Sequence, residues 1–128
     1  PGGRQNMARI LLIEDSPTDR AVFTQWLERG GHQVIFATNA EDGLELARKQ
    51  LPDLVLMDVV LPGMSGFQAT RALTRDGTTN KIPVLIVSTK SMETDRAWAM
   101  RQGAVDYVVK PPREEDLMAR INQLVGAA

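Results

Sequence analysis

Asp58 directly follows Leu54-Val55-Leu56-Met57, four apolar residues without a polar break. A short continuous apolar run marks a strand covered on both faces, as in the middle of a parallel sheet. Three other segments share this form: Ile10-Leu11-Leu12-Ile13 leads into Glu14-Asp15, Val84-Leu85-Ile86-Val87 into Ser88-Thr89, and Tyr107-Val108-Val109 into Lys110. In a parallel sheet all four polar endings meet at the carboxyl edge, where open α/β sheets bind their ligands. Three carboxylates gathered there repel one another and favour protonation. A hard divalent cation relieves the repulsion, and Mg²⁺ suits one or two carboxylates, a backbone carbonyl and several waters. Lys110 adds a fixed positive charge and Ser88 a small hydroxyl. Carboxylate, cation, ammonium and hydroxyl together suit a phosphoryl group, whose equatorial oxygens they can share. Asp58, on the central strand, is then the nucleophile, and its product is an aspartyl phosphate.

The elements that must position these residues alternate along the chain. Residues 8–13 form a first strand; Ser16 caps the next helix and Pro17 takes its first position. That helix carries Val22, Phe23, Trp26 and Leu27 on one face and stops at Gly30-Gly31. Gln33–Ala37 is a second strand, nearer an edge. Asn39 caps a second helix that runs to about Gln50, with Leu44, Leu46 and Ala47 inward, and Pro52 leads into Leu54–Met57. The Pro/Gly loop 59–66 precedes a third helix over about 67–75. The fourth strand ends at Ser88, a weakly patterned helix spans 91–102 up to Gly103, and the fifth strand runs to Lys110. An amphipathic helix over about 113–125 closes the chain, with Leu117, Ile121 and Leu124 inward. Five β/α alternations without internal repeats imply an α/β fold with a doubly wound five-stranded parallel sheet.

The chain has 128 residues, 43% of them hydrophobic and 24% charged, with a formal net charge of −1. That length fits one domain. The near-zero charge gives no electrostatic footing for nucleic acid or an anionic membrane, and no such partner is expected. Without cysteine, disulfides, thiolate zinc sites and thiol catalysis are excluded, and a reducing compartment fits. No apolar run approaches the ~20 residues of a membrane span, and no signal-peptide core opens the chain. A cytoplasmic protein is expected. Residues 1–6 read as a tag remnant or disordered tail, leaving 7–128 as the domain.

Four motifs taken together resemble a response-regulator receiver domain of the CheY-like kind: Glu14-Asp15 after strand one, Asp58 followed by Leu61-Pro62-Gly63-Met64-Ser65-Gly66, Ser88-Thr89 after strand four, and Lys110-Pro111 after strand five. The resemblance implies the flavodoxin-like strand order 2-1-3-4-5, for which the CheY fold is a standing example. It implies Asp58 as phosphoacceptor and Mg²⁺ held by Glu14, Asp15, Asp58 and the Val60 carbonyl. Lys110 contacts the phosphoryl group, Ser88 is the switch hydroxyl, Tyr107 is its aromatic partner, and both move inward on phosphorylation. The Lys110-Pro111 bond is expected to be cis. Within the family, Gly66-Phe67-Gln68-Ala69-Thr70-Arg71 and Ser88-Thr89-Lys90 look most like stand-alone regulators of type IV pilus twitching motility (PilG/PilH-like). Ser88 stands where Thr is more frequent, Thr89 where Ala or Gly often is, and Pro112 where Phe is usual. Val60 and Lys90 occupy positions where the family tunes phosphate lifetime; apolar Val60 cannot orient an attacking water, so slow hydrolysis is expected.

The function implied is a phosphorylation-controlled interaction module, not an enzyme beyond self-phosphorylation and self-dephosphorylation. Its donor is a sensor histidine kinase or phosphotransfer domain. Its output is protein binding through the face of helix four, strand five and helix five, in type IV pilus or chemotaxis-like motility. Two other readings compete. A haloacid-dehalogenase-type phosphatase also employs a strand-ending Asp with Mg²⁺, but it needs a second Asp where Val60 stands. A flavin or nucleotide carrier needs a phosphate cradle where Glu14-Asp15 stand. Among single residues, Trp26 reads as core, Trp98 equally as core or as an exposed partner anchor, Tyr107 as edge packing or switch, and His32 as a surface residue. The scattered methionines imply no binding groove.

Overall fold

The computed structural model describes residues 7–126; the tail expected at 1–6 lies outside them. Five strands, β1 (Arg9–Ile13), β2 (Gln33–Ala37), β3 (Leu54–Met57), β4 (Val84–Ser88) and β5 (Asp106–Val109), alternate with five helices. These are α1 (Pro17–Arg29), α2 (Ala40–Gln50), α3 (Gly66–Arg75), α4 (Glu93–Arg101) and α5 (Glu114–Leu124). The strands are all parallel and lie in the order β2-β1-β3-β4-β5. This is the doubly wound, flavodoxin-like arrangement expected from the alternation and the resemblance. β2 is an edge strand, and Phe36 on it is 53% exposed.

Alternate residues of the central strands feed two cores. Leu11, Ile13, Val55, Met57, Val84 and Ile86 pack under α2, α3 and α4, while Ile10, Leu12, Leu54, Leu56, Leu85 and Val87 pack under α1 and α5. Burial on both faces explains why these runs carry no polar alternation. Each such side chain contributes roughly 1.5–3 kcal/mol by leaving water.

Register carries this packing to the site. Ile13 is paired with Met57 and Met57 with Ile86, so β1 and β3 end level and β4 runs two residues further, to Ser88. The backbone bonds continue just past the strands: Asp58 N–H donates to the Ile13 carbonyl at 3.0 Å, and Lys110 N–H to the Ser88 carbonyl at 2.8 Å.

Local signals behave unevenly. Ser16 caps α1 through the Asp19 N–H, Asn39 caps α2 through the Asp42 N–H, and Ser65 with Gln68 forms a reciprocal capping box on α3. α4 begins later than the sequence suggests, at Glu93, with Met92 in the cap position and no side-chain oxygen there to accept a bond. α5 is likewise trimmed by one residue at each end. His32 is a correction. It is 4% exposed, with Nδ1 accepting from Ala8 N–H at 3.1 Å and Nε2 facing Asn122 Oδ1 at 3.0 Å. A lone polar residue next to a glycine turn reads as surface, yet here the imidazole satisfies the buried Ala8 N–H and meets a half-buried Asn122 that lies 90 residues away. Trp26 lies partly buried against the α1/α5 core, and Trp98 is exposed.

Candidate functional site

The carboxyl edge brings Glu14, Asp58, Ser88 and Lys110 together. Asp58 is 8% exposed, Glu14 2% and Ser88 fully buried. The Lys110 ammonium, its side chain only 8% exposed, lies 2.8 Å from Glu14 Oε1, 3.2 Å from Asp58 Oδ2 and 2.7 Å from Asp19 Oδ2. All three of its hydrogens therefore have a carboxylate acceptor. The Phe23 ring centroid lies 5.8 Å from the ammonium and covers another side. Burial by itself depresses a lysine pKa, but the hydrogen bonds to Asp19 and Glu14 and the charge of Asp58 overcome it, so Lys110 is held well above its ordinary value and stays charged. For Glu14, burial prevails instead. Its burial outweighs the bonds from Lys110 and from Ser16 N–H, and its pKa is raised.

Asp58 is oriented by its own chain. Oδ1 accepts from Val59 N–H at 2.7 Å and more loosely from Val60 N–H at 3.4 Å, which turns Oδ2 toward Lys110. Behind it, Gly66 has no room for a side chain: an added Cβ would stand 2.0 Å from the Asp58 carbonyl oxygen. The Gly in the loop after β3 is thus a close-approach residue that lets α3 begin against the Asp58 backbone.

Asp15 is exposed at the rim, and its carboxylate does not join the ammonium cluster. Among the described residues, no three acidic or histidine side chains stand close enough to hold a metal as they are. The donor chemistry nonetheless fits a hard cation. Glu14 and Asp58 offer carboxylate oxygens that converge on one point of positive charge, Asp15 follows Glu14 in the chain, and no thiol or imidazole competes there. Val60 is 58% exposed and carries no acid or base.

The hydroxyl side of the site has a second feature. Ser88 Oγ accepts from Lys90 N–H at 3.3 Å, and Tyr107 OH donates to the Lys90 carbonyl at 2.7 Å. The two side chains thus hold both backbone polar groups of one residue. Tyr107 is only 1% exposed, so it is already inside and has no inward swing left to make. Its burial, followed by the negative charge of Asp95, raises its pKa. The Lys110-Pro111 peptide is cis.

Asp19 was not among the residues singled out from the sequence. Ser16-Pro17-Thr18-Asp19 reads as a capping sequence, in which the acid would return to the Ser16 N–H. That N–H instead donates to Glu14 Oε2 at 3.0 Å, and Asp19 turns to Lys110. A groove of about 870 Å³ lies between α1 and β2, lined by Arg20, Gln25, Arg29 and Phe36 among others, and excludes Asp58 and Lys110. Size alone does not mark the chemistry here.

A family model for the response regulator receiver domain matches residues 10–122. The chain belongs to the receiver domain family. Among curated proteins, this receiver domain is 56% identical over 120 residues to Protein PilH of Pseudomonas aeruginosa PAO1, covering 94% of the chain and 99% of PilH. Among solved structures it resembles the receiver domain of the sensor histidine kinase PA1611 from the same organism, with TM-score 0.86 and 27% identity over 93% of this chain and 98% of that one. That domain holds a magnesium ion coordinated in its active site cleft. Chemotaxis protein CheY4 of Vibrio cholerae matches equally well, with TM-score 0.86 and 26% identity over 92% and 98% of the two chains. The receiver is a response regulator of a phosphorelay, and the phosphatase alternative has no support. No helix among the described residues is long and apolar enough to cross a membrane.

Proposed function

We propose that Asp58 accepts a phosphoryl group from a histidine of a sensor kinase or phosphotransfer domain, and that the charged receiver signals by binding another protein. The single observation carrying this reading is the Lys110 ammonium, buried and fully bonded between Asp58, Glu14 and Asp19. Desolvating an ammonium among three acids is costly, and the fixed charge this leaves at the sheet edge suits an anionic phosphoryl group. In the transfer, an Asp58 oxygen attacks phosphorus as the P–N bond to the donor histidine breaks. The bonding electrons return to the imidazole nitrogen. Lys110 neutralises charge on the phosphoryl oxygens, and Ser88 Oγ donates to another of them.

Glu14, Asp15, Asp58 and the Val60 carbonyl are the residues that would hold Mg²⁺. The metal would supply charge neutralisation for an otherwise repulsive pair of anions. The exposed rim position of Asp15 leaves it free to turn toward such an ion.

Ser88 and Tyr107 form the switch pair. When Ser88 Oγ turns to a phosphoryl oxygen, Lys90 N–H loses its acceptor, while Tyr107 still holds the Lys90 carbonyl. The strain falls on the segment from Thr89 to Met92 and on α4, whose start lacks a side-chain cap. Output through α4, β5 and α5 follows from that coupling. The 56% identity to PilH and the motif resemblance support a motility pathway of the type IV pilus or chemotaxis-like kind, and the cysteine-free sequence fits a cytoplasmic setting.

Incubation with Mg²⁺ and acetyl phosphate tests the core of this reading. Intact mass should gain one phosphoryl group in the native chain and none in Asp58→Asn; an equal gain in both contradicts it. Val60 bears on lifetime: Val60→Asn should shorten the half-life of the adduct several-fold, and an unchanged decay removes Val60 from that role.

A further inference from the structure

We infer that Asp19 is a positioning residue of the phosphoryl-accepting site, the exchangeable holder of Lys110 that restrains it in the unphosphorylated protein and releases it when Asp58 is charged. This inference rests on the reading of Asp58 as acceptor.

An ammonium has three donors, and those of Lys110 are spent on Asp19 at 2.7 Å, Glu14 at 2.8 Å and Asp58 at 3.2 Å. The shortest bond goes to Asp19 and the longest to the acceptor. A phosphoryl oxygen on Asp58 can inherit the long bond to Oδ2, but Lys110 can move closer to it only if one of the two shorter bonds is surrendered. Glu14 is a poor candidate, because its side chain is 2% exposed and Oε1 would be left without its lysine inside the protein. Asp19 is 36% exposed, so water can replace Lys110 there at small cost.

The local structure shows why Asp19 is available. It sits at the third helical position of α1, where an acid usually closes a capping box by bonding the N-cap amide. Glu14 Oε2 already takes the Ser16 N–H, and Ser16 Oγ fixes Asp19 N–H at 3.2 Å. The backbone of Asp19 is therefore anchored while its carboxylate is free to point at Lys110. The N-terminal turn of α1 tolerates that negative charge in either arrangement. The result is a resting site whose cation is shared with a residue that never contacts the phosphoryl group.

Removing the restraint should help phosphorylation. Asp19→Asn keeps the size of the side chain, removes a negative charge from the approach of an anionic donor and leaves Lys110 to Asp58 and Glu14. The rate constant for phosphorylation by acetyl phosphate with saturating Mg²⁺ should rise about two- to five-fold, the size of a half-exposed ion pair. Asp19→Glu, which restores the charge, should return the rate toward the native one. Glu45→Gln on α2 loses the same charge from an exposed pair with Lys49 and should leave the rate unchanged. An Asp19→Asn rate equal to or below the native one, or an equal rise in Glu45→Gln, overturns the inference while leaving Asp58 as acceptor. Absence of any adduct in the native chain overturns the acceptor reading and this inference together.

Discussion

Two regions of the receiver lie within a few residues of each other and are built on opposite terms. Around Lys110, each buried polar group has a partner: the ammonium has three carboxylates, Asp58 Oδ1 has the Val59 N–H, and Glu14 Oε2 has the Ser16 N–H. α4 packs lightly, and apolar side chains around it and β5 face outward. Ala99 is the buried residue of α4, whereas Met92, Trp98, Met100, Val105 and Val109 are each at least 40% exposed. Arg96 bridges this region from outside, donating to the Tyr107 carbonyl at 3.0 Å and lying 5.8 Å from its ring. The contrast suits a switch. Chemistry needs groups that do not wander, whereas output needs an element whose position costs little to change. Lys90, held by Ser88 on one side and Tyr107 on the other, is where the two regions join.

The largest disturbance should come from the tight region. Lys110→Met leaves Glu14 and Asp58 without their cation in a nearly closed site, and should cost about 3 kcal/mol of stability in magnesium-free buffer. Chemical denaturation checks this, and added Mg²⁺ should restore part of the loss. A variant as stable as the native chain breaks the contrast at its firmer end.

A smaller effect should follow pH through Glu14. Its pKa is raised above the ordinary 4.5 mainly by burial. Between 4.5 and the raised folded value the native state binds more protons than the unfolded one, so this contribution to stability is full at low pH and is lost as pH rises through the folded value. Denaturation midpoints measured in magnesium-free buffer should therefore carry a falling component above pH 4.5 that Glu14→Gln lacks. Identical pH profiles contradict the assignment.

The smallest effect belongs to the loose region. Trp98 is 46% exposed, and Trp98→Ala should change stability by no more than about 0.5 kcal/mol. A loss well above that means α4 is held more firmly than its contacts indicate.

What the sequence makes legible follows from how local each cause is. The apolar runs, the caps at Ser16, Asn39 and Ser65, and the turn glycines are written within a few residues, so strands and most helix starts can be read directly. Asp58, Glu14, Ser88 and Lys110 could be found because each ends a buried strand, and parallel strands share an edge. Asp19 and His32 obey no such rule. Asp19 faces Lys110 because Glu14 has taken the amide it would otherwise cap, and His32 is buried because Asn122 of α5 completes its hydrogen bonding. Both depend on partners far away in sequence. The start of α4 differs for another reason: the sequence offers no strong start signal over 91–93, and the helix begins at Glu93 with Met92 in the cap position. Tyr107 could be read as switch or packing, and its hydroxyl bond to the Lys90 carbonyl depends on a loop conformation that no periodicity announces.

The central claim is that charging Asp58 is felt chiefly at α4 and β5, through Lys90. Amide hydrogen exchange of the native chain, compared with and without acetyl phosphate in Mg²⁺, tests it most directly. The account predicts changed protection across residues 89–102 and 105–109, with α1 beyond its first turn unaltered and no change at all in Asp58→Asn. Changes confined to the loops around Asp58 and Glu14, with 89–109 untouched, would contradict it.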